Sequence, residues 1–244
     1  MDDAEYAERL IIPKDEDAFH DLPERRRDDI AQAAIEAFGR NDYKGASTDA
    51  IARSAGISKG LLFFYCKNKR QLYLRAIEYL YDKVVDSVVD DAFWEIDDFF
   101  ELLEYTARRK MAVMRRFPQA MAFSIRAFYP EHRDVKDAMD RWTQQQIDSA
   151  LERFFANVDL GRFRDGVDAR LALRMVIWLA DGWIHERQAS REPVDVDAFM
   201  EEFLSWLEML RLWAYRPECL AAATSGPAAA GRGPDGEREG EVRP

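Results

Sequence analysis

The sequence predicts an all-α protein in which a small N-terminal three-helix unit precedes a larger helical body. Three observations carry that prediction. Apolar side chains recur at helical spacing beyond Lys69, no alternating strand pattern of useful length appears there, and no glycine-rich phosphate loop is present. The 244 residues leave room for one to two domains. We divide the chain into an acidic extension over 1–21, a helix-turn-helix unit over 22–68, a helical body over 69–215 and a tail over 216–244 whose Ala, Gly, Pro and charge content predicts disorder.

Ser47 to Lys69, STDAIARSAGISKGLLFFYCKNK, reads as a helix, a tight turn and a second helix. Ser47 or Thr48 can cap the first helix, Asp49 sits in its first turn where the helix dipole favours an anion, and Ile51, Ala52 and Ala55 give it an apolar face. Gly56 supplies the turn, Ile57 plugs the space between the helices, and Ser58 is placed to cap a helix running from Lys59 to Tyr65. A bracing helix followed by a reading helix is the layout of a helix-turn-helix DNA-binding unit.

The segment from about Ile30 to Leu74 resembles the DNA-binding module of the tetracycline-repressor (TetR) family of bacterial transcription regulators. Ile30, Ala33, Ala34, Ala37 and Phe38 resemble its first helix. Thr48, Ile51, Ala52, Ala55 and Gly56 resemble its second, and Ser58, Lys59, Gly60, Leu62 and Tyr65 its recognition helix, with Lys69 and Leu72 opening a fourth. Two positions depart from the pattern. Phe63 stands where the family usually has tyrosine, which removes a phosphate-contacting hydroxyl, and Cys66 replaces a core phenylalanine. The resemblance implies a homodimer that binds a near-palindromic double-stranded operator through Ser47, Thr48, Ser58, Lys59, Gly60, Leu61, Phe63, Phe64, Tyr65 and Lys69. It implies repression, with release when a small molecule binds in the body. Two recognition helices about 34–36 Å apart would meet successive major grooves.

The net charge of −11 argues at first against nucleic acid. Its distribution answers the objection. Residues 22–70 carry ten basic and six acidic side chains, against two and eight before them and 23 and 32 after. The basic block therefore coincides with the helix-turn-helix. Cys66 and Cys219 do not suggest a disulfide framework, no apolar run has the length of a membrane span, and the start MDDAEYAER lacks a signal-peptide pattern. These features predict a cytoplasmic protein.

In the body, a helix is expected from about Asn68 to Val89, with a break at Phe93 and Trp94. Helices follow from about Ile96 to Phe117, Gln119 to Phe128, and after Pro130 to about Asn157. A loop at Gly161 and Gly166 precedes the last two, Asp168 to about Ser190 and Asp195 to about Tyr215. That final pair has large apolar residues on more than one face, which suits burial on two sides. Leu171, Met175, Trp183, Phe203, Trp206, Leu210 and Trp213 are the candidate dimer residues. The middle helices are rich in aromatic and sulfur-bearing side chains. Tyr105, Met111, Met114, Phe123, Arg126, Trp142, Trp178 and Asp181 are the candidate ligand contacts, and the aromatic content points to a hydrophobic, aromatic or cationic effector. Arg108, Arg109 and Lys110 with Arg115 and Arg116 form a second basic cluster, read as a solvated face that pairs along the helix with Asp97, Asp98, Glu101 and Glu104.

Other functional classes find less support. There is no nucleophile motif, and His185 with Glu186 has no converging partner at metal-ligand spacing, so neither an enzyme nor a cofactor is expected. The alternative is an architectural DNA-binding or protein-interaction module without an effector. It would show a flat, salt-driven affinity for any duplex.

Overall fold

The structure, a computed structural model, describes residues 18–223 apart from 118, 131, 191 and 193. The Leu10–Pro13 patch and the tail beyond residue 223 lie outside the described residues. What is described is helical, and none of its helices is long and apolar enough to cross a membrane.

The head comprises α1 (Glu24–Arg40), α2 (Thr48–Ser54) and α3 (Lys59–Cys66). Ile30, Ala34, Ile35 and Phe38 of α1 close its core with Ile51 and Leu62. α4 (Lys69–Val88) starts at Asn68, whose side chain accepts from the Gln71 amide at 2.9 Å, and runs into the body. Leu72 to Leu80 are buried without interruption, since α4 is packed by the head on one side and the body on the other. Within that run Arg75 and Glu78 form a buried ion pair, and the Arg75 guanidinium lies 3.1 Å from His20 Nε2. Phe19 is buried nearby, so the last residues before α1 pack back on α4.

The body continues with α5 (Asp91–Glu95), α6 (Phe99–Arg116), α7 (Ala120–Phe128), α8 (Arg133–Phe154), a 3-10 turn (Leu160–Arg162), α9 (Ala169–Ala189), α10 (Val196–Ala214) and α11 (Pro217–Ala223). Two elements differ from expectation. The break at Phe93 and Trp94 is a short helix, because Asp90 caps it by accepting from the Phe93 amide at 3.0 Å. The start of the tail, expected to be disordered, forms α11, with proline at its first position and Glu218 in its first turn.

One end of the body is locked by the buried Asp98. Its Oδ1 accepts from the Phe100 and Glu101 amides, and its Oδ2 from Arg162 at 2.9 Å and Arg211 at 3.0 Å. Four hydrogen bonds satisfy a carboxylate that would otherwise be costly to bury. Tyr215 accepts from the Phe99 amide and packs edge-on against Phe100 and Phe163, so the start of α6 and the end of α10 are held together.

Head and body meet where α1 crosses α7. Phe38 stacks on Phe123 with ring centroids 5.9 Å apart, and Tyr73 of α4 meets Phe123 edge-on at 5.1 Å. Arg126 of α7 donates to the carbonyls of Phe38, at 3.1 Å, and Gly39. Gly39 is required here, as a Cβ would fall 2.5 Å from both Cβ and the carbonyl oxygen of Gln119.

Candidate nucleic-acid interface and body cavity

The reading helix is built from local signals. Ser47 Oγ accepts from the Ala50 amide at 3.3 Å and Ser58 Oγ from the Leu61 amide at 3.2 Å, so both helices of the motif are capped as their sequences predict. Gly56 between them has φ of +66°, a conformation that favours glycine. Leu62 and Cys66 turn inward, so the opposite side of α3 faces out with Lys59, Gly60, Leu61 and Phe64. Phe64 is 68% exposed, more than any other large apolar side chain among the described residues. A Cβ on Gly60 would meet only Ser58 Oγ, at 3.9 Å, so nothing within the chain requires glycine there.

The remaining candidate DNA contacts divide between surface and brace. Ser47 is exposed, while Thr48, Phe63 and Tyr65 are half-buried. Lys59 pairs with Asp49 at 2.8 Å on the surface, a weak contact readily exchanged for another anion. Lys69 instead donates to the carbonyls of Lys44 at 3.1 Å and Ala46 at 2.5 Å, and sits 5.3 Å from the Tyr43 ring. Burial pushes its ammonium pKa below the usual lysine value. It therefore ties α4 to the loop between α1 and α2.

Between α4, α6, α7, α8, α9 and α10 lies a cavity of about 430 Å³ with largely apolar walls. That volume falls within the range of small-molecule sites, roughly 300–1,000 Å³. Of the candidate ligand contacts, Met111, Met114, Trp142 and Asp181 line it. The other four lie elsewhere. The Tyr105 hydroxyl donates to Asp90 Oδ1 at 2.7 Å, Phe123 and Arg126 belong to the α1–α7 junction, and Trp178 is 53% exposed beneath the Arg174 guanidinium.

The second basic cluster is split by helix geometry. Arg108 pairs with Glu104, Arg109 with Asp90 and Arg115 with Asp197, as a solvated face would. Lys110 does not belong with them. It follows Leu103, Thr106 and Ala107 and precedes Met114 on the side of α6 that lines the cavity, so the charge run misplaces it. Burial pushes its ammonium pKa down, and that of the Asp181 carboxyl up, with His185 partly offsetting the latter. Thr143 Oγ1, on the same cavity wall as Trp142, is buried without a hydrogen-bond partner among the described residues. Neither Lys110 nor Thr143 was legible as a cavity residue. The periodicity of α6 held the signal for the first.

Of the candidate dimer residues, Trp183, Phe203 and Leu210 are buried within the chain, Met175 and Trp206 are half-buried, and Leu171 and Trp213 are exposed. Trp178, Met209 and Leu212 join these last two as large exposed apolar side chains on α9 and α10.

Comparison with known proteins agrees with this layout. Residues 30–76 match the family described as bacterial regulatory proteins, tetR family. The HTH-type transcriptional repressor AcnR of Corynebacterium diphtheriae is 26% identical over 173 residues, covering 70% of this chain and 84% of that protein. The fold resembles the fatty acid degradation regulator FadR of Bacillus halodurans, with a TM-score of 0.61 at 18% identity over 74% of this chain and 96% of that one. It also resembles FadR of Bacillus subtilis, solved with stearoyl-CoA, with a TM-score of 0.56 at 16% identity over 73% and 96% of the two chains.

Proposed function

We propose that this chain, a DNA-binding transcriptional regulator of the TetR family, is a cytoplasmic repressor that holds a near-palindromic operator as a homodimer until an apolar effector fills the body cavity. The observation that carries the reading is a capped recognition helix with an outward Phe64, joined through α4 and the α1–α7 junction to an apolar cavity. Phe64 and Leu61 offer apolar contact to thymine methyl groups, Lys59 offers charge to phosphate, and Gly60 leaves room for close approach of a DNA backbone. Repression is supported by the name of the AcnR relative, and an effector with an apolar chain by the stearoyl-CoA seen with B. subtilis FadR.

Leu171, Trp178, Met209, Leu212 and Trp213 form the surface offered to a second copy. Exposed apolar side chains of this size, concentrated on two adjacent helices, are suited to a self-complementary interface. Release of DNA requires the effector to favour the non-binding conformation. Moving occupancy from 99:1 to 1:99 takes about 5.5 kcal/mol of differential affinity.

α7, with α4, is an element through which that preference reaches the head. Met121, Ser124, Ile125 and Phe128 line the cavity, while Phe123 and Arg126 of the same helix hold α1. The test is selection of bound duplexes from a random library at physiological salt. Recovery of a near-palindrome with half-sites about one helical turn apart, or a multiple, is the expected result. No enrichment over random DNA would return the head to the architectural alternative.

A further inference from the structure

Among the described residues the cavity wall carries two formal charges, Lys110 and Asp181, and their surroundings differ. Lys110 has no carboxylate within ion-pair distance among the described residues, although its neighbours Arg108 and Arg109 are both paired. Its one charge-compatible contact is the ring of Phe128, whose centroid lies 6.0 Å from Nζ. A half-buried ammonium on a largely apolar wall, met among the described residues by a single weak ring contact, is a cost to the empty protein. Its lowered pKa has burial as its sole cause, which agrees with the missing counter-ion.

Asp181 is less enclosed: burial raises its carboxyl pKa, and the nearby His185 partly offsets that rise. Among the described lining residues, Lys110 is therefore the charged group with no group of opposite sign beside it. Part of the lining suits a tail: Val84, Val88, Leu103, Met111, Met114 and Ile177 present aliphatic and thioether surface, beside aromatic rings such as Trp142 and Phe203 that an aliphatic chain can also pack against. The unpartnered Thr143 hydroxyl adds a polar group able to donate to an acceptor.

We propose that the effector is a single-tailed anionic amphiphile, whose aliphatic chain fills the cavity and whose acidic head group supplies the counter-ion that Lys110 lacks. This rests on the reading of the cavity as the effector site, and it replaces the cationic ligand that the aromatic content suggested. A free carboxylate and the phosphates of an acyl thioester present the same anionic chemistry to the ammonium.

The test is calorimetric titration of the full-length protein with decanoate, methyl decanoate, decylamine and decanoyl-coenzyme A, each below its micelle-forming concentration. Wild type, Lys110→Met, Lys110→Arg and the cavity-filling Met114→Trp are compared. Decanoate or its thioester should bind about tenfold or more tightly than the methyl ester, as expected for a charge-assisted contact. The tighter of the two anions identifies the source. Lys110→Met should erase that preference while leaving ester affinity within about twofold, because methionine keeps the apolar stem. Lys110→Arg should retain it.

Equal binding of acid and ester, a preference for decylamine, or a carboxylate preference that survives Lys110→Met would each overturn the proposal. If the ester binds without charge preference and Met114→Trp blocks it, the effector cavity stands and the role of Lys110 falls. If none of the ligands binds, both fall.

Discussion

The head and the body use the same kind of helix for opposite ends. In the head, the local signals agree: Ser47, Ser58 and Asn68 cap, Gly56 turns, and Leu62 and Cys66 close the core. The DNA contacts proposed for it are displayed outward on Lys59, Leu61 and Phe64. The body leaves apolar surface unfilled, placing about 430 Å³ of space and an uncompensated lysine where packing alone would have put a methyl group. A reading surface benefits from a rigid frame, whereas a responsive one retains a deficit that a ligand can remove.

The largest expected effect comes from forcing the two regions apart. Gly39→Val would drive side-chain atoms into Gln119 and should cost about 2 kcal/mol or more, read as a lowered midpoint in urea unfolding. An unchanged midpoint would mean that the junction gives way easily and the two regions are more independent than the contacts imply. Next, Phe64→Ala should weaken operator binding by about 1–3 kcal/mol while leaving ligand affinity in the body untouched. A fluorescence anisotropy titration on the selected operator reads the first effect and calorimetry the second. If ligand affinity moved as well, the division of labour would fail.

The body's deficit can be measured directly. Lys110→Met should stabilise the empty protein at neutral pH by about 1 kcal/mol, a rise in Tm of roughly 2–4 °C. A fall in Tm would show that the lysine is already compensated. The smallest effect concerns Tyr79, where α4 backs α1. Burial, with hydrogen bonding to Asp28, raises its pKa from 10.0 to about 12. The folded state holds this proton more tightly than the unfolded state, so the stability it provides is complete below pH 10 and lost as pH rises through 12. Tyr79→Phe should flatten that loss by on the order of 1 kcal/mol, as measured by unfolding at pH 9, 10 and 11. Parallel curves for the two proteins would assign the alkaline loss to other groups.

The contrast also explains what could be read in advance. Caps, turns and apolar periodicity act over a few residues, so the head and most helix boundaries were legible, and the recognition helix was placed to within a residue. Asp90 as the cap of α5 and Pro217 as the start of α11 were equally local signals, outweighed by bulky aromatics in one case and by tail composition in the other. Lys110 was obscured by neighbouring charges, although its helical phase pointed inward. Arg126 could not have been assigned, because its partners Phe38 and Gly39 are more than eighty residues away along the chain. The sorting of α9 and α10 aromatics between core and exposed face likewise depends on how the helices are rotated against α6 and α8.

The grip of Arg126 has a consequence for how such proteins diversify. It holds carbonyl oxygens of α1, a feature every residue possesses, and the adjoining contact asks only that position 39 have no side chain. The head can change the bases it reads, and the body the chemistry of its chamber, without renegotiating this joint. Substitutions that retarget either half remain open to selection independently, so a new metabolite can be wired to an old operator by changing one end of the molecule at a time.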